Sequence, residues 1–326
     1  CFLSLNLSEH YLLTLTNRIV KKILYLLFVI CLTLTTTQAA IIQVNNNPDT
    51  AADYTSLQEA IDNANSGDTL YIVGSAKFYD GTSSTIRLNK RLTLIGPGYL
   101  FVENGKAQQN NQTAKLYRLI IGEGADNSVI SGIQIEGRFG EAHISLQSTR
   151  RDGEDGTDGP TNVLIERNYL DRVLVYNSAQ TVIQHNYFSD DSSIVIFIDD
   201  LALGTIIQNN IIDSPSPAIS GYQFAFETQP NLVIRNNILH GNIQEINGAE
   251  IYNNIFLDNT GLAESDNNQV KNNVFTSASG ESVDDLSDGN NLANNLFSVT
   301  QTDLFIGDLD LVDGDYVLEE NSPAIG

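Results

Sequence analysis

Between residues 165 and 297 the apolar positions fall in one recurring phrase: an aliphatic residue, two spacers, an asparagine, then two apolar residues. The copies are Ile165-Glu-Arg-Asn168-Tyr-Leu, Ile183-Gln-His-Asn186-Tyr-Phe, Ile207-Gln-Asn-Asn210-Ile-Ile, Ile234-Arg-Asn-Asn237-Ile-Leu, Ile251-Tyr-Asn-Asn254-Ile-Phe, Val270-Lys-Asn-Asn273-Val-Phe and Leu292-Ala-Asn-Asn295-Leu-Phe. Each is too short and too β-branched for a helix, and its apolar residues flank one polar break, which predicts two short strands meeting at a corner. The asparagines lie 18, 24, 27, 17, 19 and 22 residues apart, a step of about 21 that matches stacked solenoid coils. Asparagine suits such a corner because it tolerates left-handed backbone and its amide bonds to nearby backbone groups. On coils stacked ~4.8 Å apart, seven of them can also bond to one another. The predicted fold is all-β, a right-handed parallel β-helix with asparagine-cornered coils over about 162–298. These asparagines are read as architecture, and none as catalytic.

Ahead of the repeats, Ser56 precedes Glu59 by three residues, and Leu57, Ala60, Ile61 and Ala64 share one helical face. This is the pattern of a capping box opening a short helix over about 56–66, with Gly67 as its stop. A solenoid needs its open apolar end covered, and this N-terminal capping helix is the expected lid.

Residues 20–39 run from Val20-Lys-Lys through the apolar stretch Ile23 to Leu34 to Thr35-Thr-Thr-Gln-Ala39, the basic, apolar and small-residue succession of a secretory signal. The apolar run is shorter than the about 20 residues a spanning helix requires, so export with cleavage near Ala39 is expected, and no transmembrane helix in the mature chain. Residues 1–19 read as an upstream extension, since the chain has no methionine. Both cysteines, Cys1 and Cys31, precede the cleavage point, so disulfides are not expected to hold residues 40–326, one domain, together.

Thr55-Ser-Leu-Gln-Glu-Ala-Ile61, Gly67-Asp-Thr-Leu-Tyr-Ile-Val73 and Leu92-Thr-Leu-Ile-Gly-Pro-Gly98 together resemble the N-terminal cap and first coils of secreted bacterial proteins of the pectate-lyase-like β-helix superfamily. The tail Asp315-Tyr-Val-Leu-Glu-Glu-Asn-Ser-Pro-Ala-Ile-Gly326 resembles the end of β-helix domains in anchored bacterial surface proteins, where the chain often continues. The resemblance implies a secreted or cell-surface protein. It does not choose among the lyases, hydrolases, epimerases and unassigned members of that superfamily.

Charge narrows the partners. The whole chain has 17 basic and 40 acidic side chains; without residues 1–39, which hold Arg18, Lys21, Lys22 and Glu9, it has 14 and 39, a net of −25. Nucleic acid is excluded by its phosphates. An anionic polysaccharide is repelled unless Ca²⁺ or a local basic stripe intervenes. The expected partner is a polysaccharide or cell-surface glycan, met by a monomer.

Equal offsets from the corner asparagine should stack into columns. Three residues after it stand Asp171, Ser189, Asp213, His240, Leu257, Thr276 and Ser298, which puts Asp213 and His240 on adjacent coils, one coil after Asp190 and Asp191. Paired carboxylates ~5–10 Å apart are the requirement of glycoside hydrolysis. Asp190-Asp191 and His240-Gly241 are similar in order to motifs of polygalacturonase-type β-helix hydrolases, although Leu239 replaces the glycine before the histidine and no Arg-Ile-Lys occurs. Two residues before the asparagine stand Glu166, Gln184, Gln208, Arg235, Tyr252, Lys271 and Ala293. Arg235, Tyr252 and Lys271 form a candidate set for β-elimination from a uronate, with cations neutralising its carboxylate and Tyr252 or Lys271 moving the proton. In the glycine-rich segment 150–159, Asp152, Glu154, Asp155 and Asp158 are candidate Ca²⁺ ligands, without the glutamate that closes an EF-hand loop. Since every catalytic pattern is incomplete, the sequence favours a non-catalytic flank for glycan contact or adhesion. A polysaccharide lyase or glycoside hydrolase of the same fold is the alternative.

Overall fold

The computed structural model describes residues 20–23, 25, 39–48, 50–98, 112–137, 143–147, 159–189, 194–199, 202–214, 217–221, 231–257, 260–276, 284–285 and 289–297. The chain divides into two compact units, Cys1–Ala39 and Ala40–Gly326. In the first, Val20 to Ile23 and Tyr25 are helical; apart from Ala39 the rest of the expected signal, and the tail after 297, lie outside the described residues. No described helix is long and apolar enough to cross a membrane.

The second unit is a right-handed parallel β-helix. Its described strands form three all-parallel sheets, and each full coil contributes one strand to each in turn. The first sheet has 11 strands from Ile41–Val44 to Asn291–Ala293, the second 8 from Ala114–Leu116 to Val274–Phe275, and the third 9 from Thr85–Leu88 to Asp284–Asp285. Strands of two to four residues suffice because alternate side chains point inward onto the same position of the next coil. Leu70, Leu94, Ile130, Ile165, Ile183, Ile207, Ile234, Ile251 and Val270 stack this way in the first sheet, all at 0% exposure. Each contributes roughly 1.5–3 kcal/mol of burial. In the later coils Phe256, Phe275 and Phe297 stack at centroid distances of 4.5 and 5.3 Å.

At the corner between the first and second sheets, each phrase asparagine points inward and is hydrogen-bonded on every side. Asn186 donates Nδ2 to Ile165 O at 3.0 Å and to Asn210 Oδ1 at 3.1 Å. Its own Oδ1 accepts both the backbone and side-chain N–H of Asn168 at 3.0 Å. The same pattern continues through Asn210, Asn237, Asn254 and Asn273 to Asn295. It begins where Asn168 Oδ1 caps Ile133 N at 3.0 Å.

The sequence reading placed the left-handed backbone on these same asparagines, and the structure moves it one residue back. The positive-φ residues are Arg167, His185, Asn209, Asn236, Asn253, Asn272 and Asn294, with φ between 54° and 57°. The inward residue must aim its amide along the column, so the preceding one makes the turn. Five of the seven corners are therefore Asn-Asn, with the two residues in different roles. A second left-handed column lies two residues ahead of the first-sheet strands, at Asn127, Asn162, Gln180, Gly204, Asn231, Gly248, Asn267 and Gly289; the sequence reading did not find it.

Near the start, a helix spans Leu57–Asn63, shorter than expected because Ala64 is already extended. Ser56 accepts the Glu59 amide at 3.1 Å, and Asp80 Oδ2 accepts the amides of Leu57 and Gln58 at 3.0 and 3.1 Å. A carboxylate from a neighbouring coil thus holds the positive end of the helix. Gly67 does not stop it: its φ of +99° lies in the turn leading into the strand Thr69–Ile72. Leu57, Ala60 and Ile61 are fully buried in the same core as the first coils.

Tyr79 lies in that core at 0% exposure and donates its hydroxyl to Val44 O and Val73 O at 3.1 and 2.7 Å. Burial, opposed by a backbone hydrogen bond at Asn46 and reinforced by the charge of Asp80, pushes the phenol from 10.0 up to about 12. Between pH 10 and 12 the unfolded chain loses this proton while the folded one keeps it, so stability should fall with rising pH, by ~2–3 kcal/mol in all. Below pH 10 the phenol adds no slope. Urea midpoints across this range should lose their extra decline in Tyr79→Phe; an identical decline in both proteins would contradict the assignment.

Candidate functional site

Outward positions of the strands stack into columns, and those of the first sheet form a self-satisfied rail. Glu166, Gln184, Gln208, Arg235, Tyr252 and Lys271 are successive partners. Arg235 Nε donates to Gln208 Oε1 at 2.8 Å, Gln208 to Gln184 at 2.7 Å, and Gln184 to Glu166 Oε2 at 2.9 Å. Arg235 also donates to the Tyr252 hydroxyl at 2.9 Å and lies 5.9 Å from its ring centroid. Arginine can only donate and the carboxylate only accept, so the two amides point the same way between them. The structure brings Arg235 and Tyr252 into contact, with Lys271 next in the column. The guanidinium is occupied on two edges by its own column, which is the behaviour of a structural rail.

The second sheet is different. Ser189, Asp213 and His240 are in register on consecutive coils, and His240 Nδ1 lies 3.0 Å from Asp213 Oδ1, the side chains 29% and 23% exposed. Asp213 Oδ2 accepts from the hydroxyl of Tyr187 at 3.3 Å. Tyr187 is buried, and its ring sits 5.4 Å from that of Tyr169. Burial is the largest cause raising the Tyr169 phenol; a hydrogen bond with Ser189 opposes it, and the charges of Asp171, Glu136 and Asp213 add to it. In the same column Asp171 is buried and accepts the Gly137 amide at 2.7 Å, while Glu136 pairs with Lys115 at 3.1 Å.

Immediately past this column, at the corner leading into the third sheet, Arg118 and His143 are strand partners and Arg172 stands next to His143 on the following coil. Acids, phenols, imidazoles and guanidinia are thus spread along successive coils at the edge where the second and third sheets meet.

Of the residues expected to be catalytic, Asp213 and His240 are together here, and Arg235, Tyr252 and Lys271 are together on the other flank. Asp190 and Asp191 lie outside the described residues, as do the calcium candidates Asp152, Glu154, Asp155 and Asp158. Among the described residues no group of three or more His, Cys, Asp and Glu is placed to hold a metal. Sequence reasoning missed Tyr169 and Tyr187, although both stand one residue after a corner asparagine and so share a column. It also missed Arg118 and His143, which precede the first corner asparagine and have no such anchor.

No family model and no curated protein matches this chain. Among solved structures, the PL6 family alginate lyase AlyGC aligns with a TM-score of 0.42 at 15% identity over 73% of this chain and 35% of that one. The A-module of the Azotobacter vinelandii mannuronan C-5 epimerase AlgE4 aligns with a TM-score of 0.39 at 12% identity over 72% of this chain and 88% of that one. This chain therefore spans about a third of the lyase's length. At such identities a likeness concerns the fold alone.

Proposed function

We propose that the chain is an exported polysaccharide-processing protein, a lyase or glycoside hydrolase, in which His240 transfers a proton on the outer face of the second sheet. The contact of Asp213 with His240 Nδ1 across adjacent coils carries this reading. A carboxylate on Nδ1 favours the tautomer whose basic lone pair is on Nε2, and it stabilises the imidazolium once a proton arrives. Tyr187 steadies the other carboxylate oxygen. Asp213 is thus a positioning residue, and His240 meets the substrate. In elimination His240 takes the proton next to a uronate carboxylate. In hydrolysis it serves a water or the leaving oxygen, with Asp171 two coils from Asp213, about 10 Å by strand spacing and near the upper limit for an inverting pair. Export is supported by the signal-like run of residues 20–39.

The test is to incubate residues 40–326 with pectin, alginate, glycosaminoglycan and neutral glycans, following unsaturated products and reducing ends. On the polymer that is cut, His240→Gln should cost ~10²–10⁴ in rate. Asp213→Asn should cost less and displace the pH profile, because it disturbs the imidazole and not the substrate. Turnover by His240→Gln at the wild-type rate would refute the assignment.

The rail of the first sheet favours a second reading, a non-catalytic flank for glycan contact. Its hydrogen bonds run unbroken from Glu166 to Tyr252, leaving an even surface along several coils. Under that reading no polymer is cut, and one of them binds wild type and His240→Gln equally.

A further inference from the structure

Asn209, Asn236, Asn253 and Asn272 make the turn into the second sheet on consecutive coils, at φ between 55° and 57°. All four are exposed. Their backbone N–H groups donate to the next coil, but among the described residues nothing bonds their side-chain amides, whereas the inward asparagine beside each is bonded on every side. Left-handed backbone favours asparagine here, yet Gly132, Arg167 and His185 make the same turn on earlier coils, so the turn alone does not require an amide. Two residues after the first three of these asparagines come Ile211, Ile238 and Ile255, register partners half-buried on the outer face. Two residues further on come Asp213 and His240. One coil thus sets Asn209, Ile211 and Asp213 across the face, and the next sets Asn236, Ile238 and His240. Repeated at ~4.8 Å, these become three parallel lines along the solenoid: amides, aliphatic side chains, and the acid–imidazole pair. Tyr187 and Tyr169 continue the aliphatic line on the preceding coils.

Charge decides what can lie there. After Arg172 the only lysine and arginine in the chain are Arg235 and Lys271, and both belong to the rail of the first sheet. A uronate carboxylate beside His240 would lose water against isoleucine side chains and face Asp213. No lysine or arginine on the second sheet's face at these coils would replace that water, and the imidazole is already taken up by Asp213 at 3.0 Å; such a burial is costly. A sugar hydroxyl is different, because it gives and accepts hydrogen bonds as an amide does. Apolar surface with a few placed polar groups is the usual make-up of a small-ligand site. Resting on the reading of the second sheet as the working face, we infer that Asn209, Asn236 and Asn253, with the isoleucines beside them, are the recognition subsite for a neutral polysaccharide. It runs along the solenoid axis, its ring C–H faces on the isoleucines and its hydroxyls on the amides. Hydrolysis is then the branch that fits: the glycosidic C–O bond breaks, one fragment takes the hydroxyl of water and the other its hydrogen.

The probes are manno-, xylo- and cello-oligosaccharides, with oligogalacturonates of equal length as the anionic series, titrated calorimetrically against the full 40–326 chain. His240→Gln is used as the background so that no probe is consumed. One neutral series should bind about tenfold more tightly than the anionic one, with little dependence on salt. Replacing Asn209, Asn236 and Asn253 together by glycine removes the amides and leaves a residue at ease in left-handed backbone. That variant should unfold at the temperature of its parent and bind the preferred series about tenfold more weakly. Asn231→Gly is the control: Asn231 is also exposed and left-handed, at φ 63°, but lies at the corner leading into the first sheet, and its loss should leave binding unchanged. No binding of any neutral series, a preference for galacturonate, or undiminished affinity in the folded triple variant overturns the subsite while leaving the role of His240 standing. Turnover by His240→Gln at the wild-type rate, with the neutral preference intact, overturns that role and leaves the subsite.

Discussion

Replacing Asn237 with leucine should lower the unfolding free energy by about 3–5 kcal/mol, among the largest effects of any single substitution in the β-helix. The side chain donates to Ile207 O at 3.0 Å and to Asn254 Oδ1 at 3.0 Å, and accepts the backbone and side-chain N–H groups of Asn210 at 3.0 and 3.1 Å. Leucine leaves these partners buried and unsatisfied, at roughly 1–3 kcal/mol for each group that cannot find another bond. Asn295, at the end of the column and only partly buried, should be less costly to replace. Urea unfolding of the two variants checks the order. Equal midpoints for both, or no change from wild type, would mean that the column contributes nothing beyond packing.

Gly132→Ala is expected to cost at least about 3 kcal/mol. Before Asn168 the asparagine position is held by Ile133, and Gly132 takes the turn position of Arg167, where its backbone closes against that of Gly96 on the preceding coil. Gly132 has φ +70°, and a Cβ there would lie 2.6 Å from Gly96 O. Backbone strain and overpacking therefore act together. Gly98 supplies the control: its φ is +92°, but among the described residues nothing lies within 4 Å of the added carbon, so Gly98→Ala should cost only the strain, about 1 kcal/mol. If thermal unfolding shifts equally in the two variants, the close approach of the corners is not what selects glycine at 132.

The coils were legible because the phrase Ile-x-x-Asn repeats with its apolar flanks, and a residue that must point inward at every coil cannot vary much. The left-handed turn was assigned to the wrong asparagine because Asn-Asn pairs are ambiguous. Arg167 and His185, which occupy the turn position without being asparagine, are the residues that resolve it. The helix start was readable at Ser56, whereas the role of Asp80 was hidden, since it lies 23 and 22 residues from the amides it holds. In the site, the Asp213 and His240 pairing followed from column offsets alone. The placing of Arg118 and His143 did not, because both lie on coils without a corner asparagine to count from.

Residues 40–326 contain no cysteine, so single thiols can report where a glycan lies. Ser189→Cys places one in the column of Asp213 and His240 on the second sheet, and Ser131→Cys places one on the outer face of the first sheet, in the column of Glu166. Alkylation rates are measured with and without an oligosaccharide of the polymer the protein processes, in the His240→Gln background. Slower alkylation at position 189 with an unchanged rate at 131 is the predicted result. Protection at 131 with none at 189 would contradict the assignment of the second sheet as the working face.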